Sequence, residues 1–199
     1  MIEESLNWEE RYQEGDTGWD RGGPSPALMQ WLENAHLKEG SRVLIPGCGF
    51  GHEVLELAQR GHQVTGLDIA PSAITALNKS LSEAGASASS QGVCADLFEY
   101  EPTQCFDVIY EQTCLCTMTP AEYEKYEKQL HTWLKDDGVL LLLLMQTGDA
   151  GGPPFHCDLK DMRQLFDASR WSWPAKEPLL IPRPKGPRFE LGFILKHKN

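Results

Sequence analysis

No apolar run in this chain approaches the roughly 20 residues that a membrane-spanning helix needs. The most apolar stretch, Leu140 to Leu144, reads instead as a buried central strand. Basic residues are scarce: 18 Lys and Arg stand against 29 Asp and Glu, a net charge of −11 over 199 residues. The longest basic run is Lys196-His197-Lys198. Such a field repels phosphate backbones, which excludes nucleic acid as the expected partner. A G-x-x-x-x-G-K-[ST] sequence is lacking, which argues against ATP or GTP chemistry. There is no G-x-S-x-G elbow either, and so no sign of a serine nucleophile. The six cysteines lack the paired C-x-x-C spacing of zinc sites, so a metal set built from Cys114, Cys116, His156 and Cys157 is disfavoured. They read as free thiols, mostly buried as small hydrophobes. The start, MIEESLNWEERYQEGD, is acidic and without an apolar centre, so neither a signal nor a transit peptide is expected. No repeat, heptad or low-complexity tract interrupts the chain. The expectation is one cytoplasmic domain over residues 1–199, a monomer acting on a small molecule.

What is present centres on residues 42–68, RVLIPGCGFGHEVLELAQRGHQVTGLD. Val43 to Ile45 form an apolar strand, Gly47-Cys48-Gly49-Phe50-Gly51 a tight loop, and a helix follows. A second strand, Val64 to Leu67, ends at Asp68. Asp68 stands about 20 residues beyond the loop, where nucleotide-binding units keep an acid for a ribose diol. The third glycine of a dinucleotide G-x-G-x-x-G falls on His52, so the pattern reads G-x-G-x-G. A second acid, Asp96, follows the third apolar run beside Leu97 and is placed to accept from an adenine amine; capping of the next turn is its competing role. One acid for ribose, one for adenine and no third glycine suit S-adenosyl-L-methionine better than a nicotinamide dinucleotide.

The rest of the chain alternates as an α/β protein does. Helices are expected from Pro24 or Pro26 to about His36, Gly51 to Gln59, Pro71 to about Glu83, Pro120 through Leu134 and Asp158 to Ala168. Strands are expected at Phe106 to Tyr110 and Val139 to Met145, with two more closing the sheet near Trp171 to Leu180 and Arg188 to Lys196.

The residues also resemble a known family. Trp8, Gly15-Asp16-Thr17-Gly18-Trp19-Asp20, Pro46-Gly47-Cys48-Gly49, Gly66-Leu67-Asp68-Ile69, Asp96-Leu97-Phe98, Phe106 to Gln112 and Gly151-Gly152-Pro153-Pro154-Phe155 are collinear with the thiopurine, thiol and halide methyltransferase superfamily. The resemblance implies a Rossmann-like class I methyltransferase: a mostly parallel seven-stranded sheet with one antiparallel strand and helices on both faces. It implies transfer of a methyl group from S-adenosyl-L-methionine to a small soft nucleophile such as a thiol, thiopurine, halide or chalcogenide. Tyr12 departs from the second Trp of plant members, and Gln112 from the Tyr or Arg of relatives, which touches the substrate pocket.

Residues and resemblance together assign Trp8, Tyr12, Trp19, Gly47, Gly49, Asp68, Ile69, Asp96, Leu97, Glu111 and Gln112 to the cofactor. Glu111, Gln112, His156 and Arg183 are candidates for the substrate pocket, with helix capping the competing role of Glu111. Residues 1–20 are expected to be a lid: Trp8 and Tyr12 share one helix face, Trp19 lies beyond the glycine break, and their rings face the sulfonium. Two other classes stay open at this point, a nicotinamide-dependent oxidoreductase and a non-catalytic S-adenosylmethionine-binding protein.

Overall fold

The computed structural model describes residues 7–34 and 36–198. Helix α1 (Trp8–Glu14) and helix α2 (Pro26–Glu33) precede the first strand. Next come β1 (Arg42–Pro46), α3 (His52–Gln59), β2 (Gln63–Asp68), α4 (Pro71–Glu83), β3 (Gln91–Cys94) and β4 (Phe106–Gln112). After two short 3-10 turns follow α5 (Tyr123–Trp133), β5 (Leu134–Gln146), α6 (Leu159–Leu165), β6 (Trp171–Ser172), β7 (Leu179–Pro182) and β8 (Phe189–His197). Pro71 at the first helical position and an extended Ala70 before it start α4 where the sequence predicts.

All strands form one sheet in the order β3-β2-β1-β4-β5-β8-β6, with β7 also on β8. β1 pairs in parallel with β2 and β4, while β8 runs antiparallel to β5 from Val139↔Lys196 to Gln146↔Phe189. Because β6 and β7 are antiparallel to β8 in turn, β8 alone runs against the rest. The count is eight strands rather than seven. The single strand expected over Trp171 to Leu180 is two short ones sharing the outer edge of β8, with Pro174 and Pro178 between them unable to donate ladder hydrogen bonds.

Two further boundaries differ from expectation. Leu134 already pairs with Phe106, so β5 begins where the helix was expected to finish, and the register shifts before Val108↔Val139. At the other end β4 runs on to Gln112, which puts Glu111 and Gln112 inside the strand rather than after it.

The central strands are apolar on both faces, as buried parallel sheets require. Leu140, Leu142 and Leu144 pack with Tyr126, Leu130 and Met162 of α5 and α6. Leu141 and Leu143 pack with Trp31, Leu57 and Leu77 of α2, α3 and α4. β1 has β2 on one side and β4 on the other, so the chain reverses direction across the sheet there. The carboxyl ends of β1 and β4 flank the crevice where open α/β sheets hold ligands.

Candidate active site

The glycine loop leaves β1 with Gly47 at φ 60° and Gly49 at φ 55°, a region that side chains avoid. Space is also closed there: a Cβ on Gly49 would stand 2.9 Å from the Tyr12 hydroxyl, and one on Gly47 would stand 3.0 Å from the Cys114 sulfur. Asp68, at the tip of β2, reaches this loop as its position predicts. Its Oδ2 accepts from Gly49 N at 2.9 Å and its Oδ1 from Ala70 N at 3.0 Å. Burial holds its pKa above the ordinary value, opposed by those backbone hydrogen bonds.

The aromatic residues of the N-terminal segment gather above the loop. Trp8 and Tyr12 meet Trp19 edge-on at 5.4 and 5.6 Å, and Tyr12 meets Phe50 at 5.1 Å. The Arg11 guanidinium lies 4.5 Å from the Trp19 ring and 5.4 Å from that of Trp8, so this chain supplies its own cation to those faces. Glu9 fastens α1 to the start of α4, accepting from Ser72 N at 2.9 Å and Ser72 Oγ at 2.5 Å. Described residues 7–20 are therefore docked, by contacts that their own composition does not reveal. Residues 1–6 of the expected lid lie outside the described residues.

At the end of β4 the two neighbours diverge. Glu111 is wholly buried; its Oε1 accepts from Cys114 N at 3.1 Å and Leu115 N at 2.7 Å, capping the 3-10 turn that follows. Its Oε2 has no partner among the described residues, and burial pushes its pKa up to about 7. Gln112 faces the crevice, where its Oε1 accepts from Tyr110 Oη at 2.8 Å. Its Nε2 donates to Glu190 Oε2 at 2.9 Å and to Ser25 Oγ at 3.3 Å.

Glu190, Arg21 and the pairing of Asp20 with His52 escaped the sequence reading. Buried Glu190 binds the Arg21 guanidinium at 2.8 Å and lies 3.6 Å from that of Arg183. Arg21 also donates to Pro182 O, and Arg183 to Trp19 O, which ties the N-terminal segment to the β7–β8 connection. Arg183 is thus no solvated loop arginine: its side chain is 9% exposed. His52 Nε2 lies 2.9 Å from Asp20 Oδ1. An acid inside the otherwise apolar strand Phe189 to Leu195 was the available signal for Glu190; the Asp20–His52 pair had none.

These groups enclose a cavity of about 60 Å³ beside Gly49, with Trp19, Arg21, His52, Gln112 and Arg183 among its walls. The remaining candidates stand apart from it. Exposed Asp96 accepts from Phe98 N at 2.8 Å, the geometry of a turn cap. Beside it, half-buried Leu97 and 52%-exposed Ile69 follow the neighbouring strands β3 and β2 and offer apolar surface at the sheet edge. His156 Nδ1 accepts from Thr147 N and Gly148 N at 3.1 and 3.3 Å, which anchors its own loop. Cys94 and Cys105 are exposed, and the other four thiols are buried.

The profile of the family described as Thiopurine S-methyltransferase (TPMT) matches residues 3–180. The chain belongs to that family. It is 32% identical over 164 residues to thiocyanate methyltransferase 1 of Arabidopsis thaliana, covering 82% of this chain and 72% of that protein. It is 28% identical over 180 residues to a thiopurine S-methyltransferase of Xanthomonas axonopodis pv. citri (strain 306), covering 81% of each. Among solved structures, a TehB-like SAM-dependent methyltransferase from Corynebacterium glutamicum shares the fold with a TM-score of 0.68 at 19% identity, over 96% of this chain and 98% of that one. As a member of the thiopurine S-methyltransferase family, the chain is an S-adenosylmethionine-dependent methyltransferase acting on a small molecule. The nicotinamide and non-catalytic readings are set aside.

The cradle fits that cofactor. Gly47 and Gly49, both at positive φ, bring bare backbone to the carboxyl end of β1, and Asp68 accepts from that loop at Gly49 N. Ile69, one of two large exposed hydrophobic residues among those described, extends it along the sheet edge.

Proposed function

We propose that this methyltransferase serves a small, soft acceptor that reacts as an anion, of the thiolate, thiocyanate, halide or chalcogenide kind. The observation that carries the reading is the cavity wall formed by Arg21 and Arg183. Two guanidiniums there share one buried carboxylate, Glu190, which leaves guanidinium donors on that wall for an anion. The Asp20 and Glu53 carboxyls also line the cavity, so the attraction is local to the arginines rather than a net charge of the site. Arg21 Nε is buried without a partner among the described residues and supplies a donor for such an acceptor.

In this reading Gly47, Gly49 and Asp68 hold the methionine and ribose parts of S-adenosylmethionine. Ile69, Asp96 and Leu97 hold its adenine, and Gln112 with Arg183 borders the acceptor. When bound, the cofactor supplies an activated methyl group on a positively charged sulfur. The protein's own contribution is orientation, exclusion of water and a fixed charge facing the acceptor. Trp19, Asp20 and Arg21 form one wall of the cavity, so a ligand held there needs that segment in place to be shut off from water. That need supports residues 1–20 as a lid, and the ties of Arg21 and Arg183 as what closes it. Residues 1–199 then form one methyltransferase domain, monomeric, cytoplasmic and without nucleic-acid partners, consistent with a net charge of −11. Among the described residues no helix is long and apolar enough to cross a membrane.

Incubation with methyl-labelled S-adenosylmethionine and a panel of thiocyanate, iodide, hydrosulfide, small thiols and a thiopurine tests the reading. Transfer to the small anions is expected. Transfer confined to the thiopurine, or to none of the panel, refutes it.

A further inference from the structure

An acceptor that arrives as a neutral thiol must lose a proton before it reacts as an anion, and the cavity holds a histidine able to take it. We infer that His52, held by Asp20, is the proton acceptor for thiol substrates in this site. The inference rests on the function proposed above and adds to it a catalytic residue that the sequence did not single out.

His52 is the first residue of α3, directly after the glycine loop, and Asp20 follows Trp19 in the N-terminal segment; both line the cavity with Gln112 and Arg183. The carboxylate of Asp20 accepts only, so at 2.9 Å the ring proton of a neutral His52 sits on Nε2. Nδ1 then carries the lone pair, and it has no hydrogen-bond partner among the described residues. A carboxylate that fixes one ring nitrogen while the other stays open is the arrangement of a general base. The alternatives in the region are occupied. His156 Nδ1 already accepts two backbone amides, Gln112 is hydrogen-bonded at both ends of its amide, and Glu111 is buried behind the cavity.

The charged neighbours of His52 are Asp20, Glu53, Arg21 and Arg183. Glu53 accepts from Ser25 N, and burial raises its pKa; Cys48 and Tyr110 in the same walls are held neutral by burial.

The proton balance closes without a further reactant. The S–H bond of the thiol breaks, its proton passes to His52 Nδ1 and its electron pair remains on sulfur. That pair forms the new bond to the methyl group, and the old bond's electrons stay with the sulfur the methyl group leaves. The imidazolium then returns its proton to water.

The test compares a thiol with thiocyanate, which carries no proton at neutral pH, in native protein, His52→Gln and Asp20→Asn. Binding of S-adenosylhomocysteine is measured first by calorimetry. Its absence in the native protein overturns the underlying functional reading, whatever His52 does. With binding intact, the kcat ratio of thiol to thiocyanate is expected to fall about a hundredfold in His52→Gln, a general-base effect. A smaller fall in the same direction is expected for Asp20→Asn. An acid limb in the pH profile should appear for the thiol and not for thiocyanate. A readout without turnover is the near-ultraviolet thiolate band of a thiol bound to the S-adenosylhomocysteine complex, which should weaken in His52→Gln. Equal losses for both acceptors, or an unchanged ratio and band, overturn the inference.

Discussion

Replacing Glu111 by Gln should change how stability depends on pH, and the direction follows from the burial of that one carboxyl. In the folded protein Glu111 is fully enclosed; its Oε1 accepts from the amides of Cys114 and Leu115, while Oε2 has no partner among the described residues. Burial is the largest influence and raises the pKa from the ordinary 4.5 to about 7; the two amides oppose it and Glu190 adds to it. The folded state therefore keeps a proton on Glu111 that the unfolded chain has already lost. By linkage, stability from this group is fully present below 4.5 and is lost as pH rises towards about 7. At ~1.4 kcal/mol for each pKa unit, the ionised form costs the folded state about 3 kcal/mol once both pKa values are passed. Glutamine keeps the acceptor for the two amides and never ionises. Other groups with displaced pKa values, Asp68 and Glu127 among them, move the absolute curves of both proteins alike. The readout is therefore the difference between the two proteins in urea unfolding at pH 5 and at pH 8. Glu111→Gln should gain about 2–3 kcal/mol relative to native protein between those values. A constant difference across that range means Glu111 is ionised in its buried place, and the reasoning fails.

Three further outcomes are expected. Asp68→Ala should weaken S-adenosylhomocysteine binding tenfold or more by calorimetry, as loss of a charged hydrogen bond of about 1.5–3 kcal/mol requires. It should also lower the Tm, because Gly49 N and Ala70 N lose their acceptor; undiminished affinity in the folded variant removes Asp68 from the cofactor site. Gly49→Ala puts a methyl 2.9 Å from the Tyr12 hydroxyl and should reduce cofactor affinity, with Tyr12→Phe restoring part of it; absence of any restoration shows that backbone strain at φ 55° dominates. Hydrogen exchange over Trp8 to Trp19 should slow on adding S-adenosylhomocysteine while Leu140 to Leu144 changes little. Equal protection with and without ligand argues that the segment is permanent packing.

The fold and the glycine-loop side of the candidate site were legible in local pattern because local physics sets them. Three apolar residues before a glycine loop, Pro71 at a helix start and an acid ending β2 depend on neighbours a few residues away, and α4 begins where Pro71 places it. Asp68 reaches Gly49 because strand, loop and helix have fixed dimensions, so the spacing carries the contact. The split of the outermost strand and the early start of β5 depend on how β8 and β4 offer their edges, which no local run encodes. On the acceptor side of the cavity the sequence offered Gln112 and Arg183, and the tertiary structure supplied their partners. Arg21 meets Glu190 across 169 positions, Arg183 meets Trp19 across 164 and His52 meets Asp20 across 32. None of these residues has a partner within its own helix or strand that would mark it in sequence. A guanidinium or an imidazole gains a role from the group it faces, and folding alone chose those groups. The sequence by itself pointed to a nucleotide-like cofactor and to the ends of β1, β2 and β3 as its expected place; only the packing of the N-terminal segment and of β7 and β8 against β4 decided which charged groups line the cavity beside Gly49.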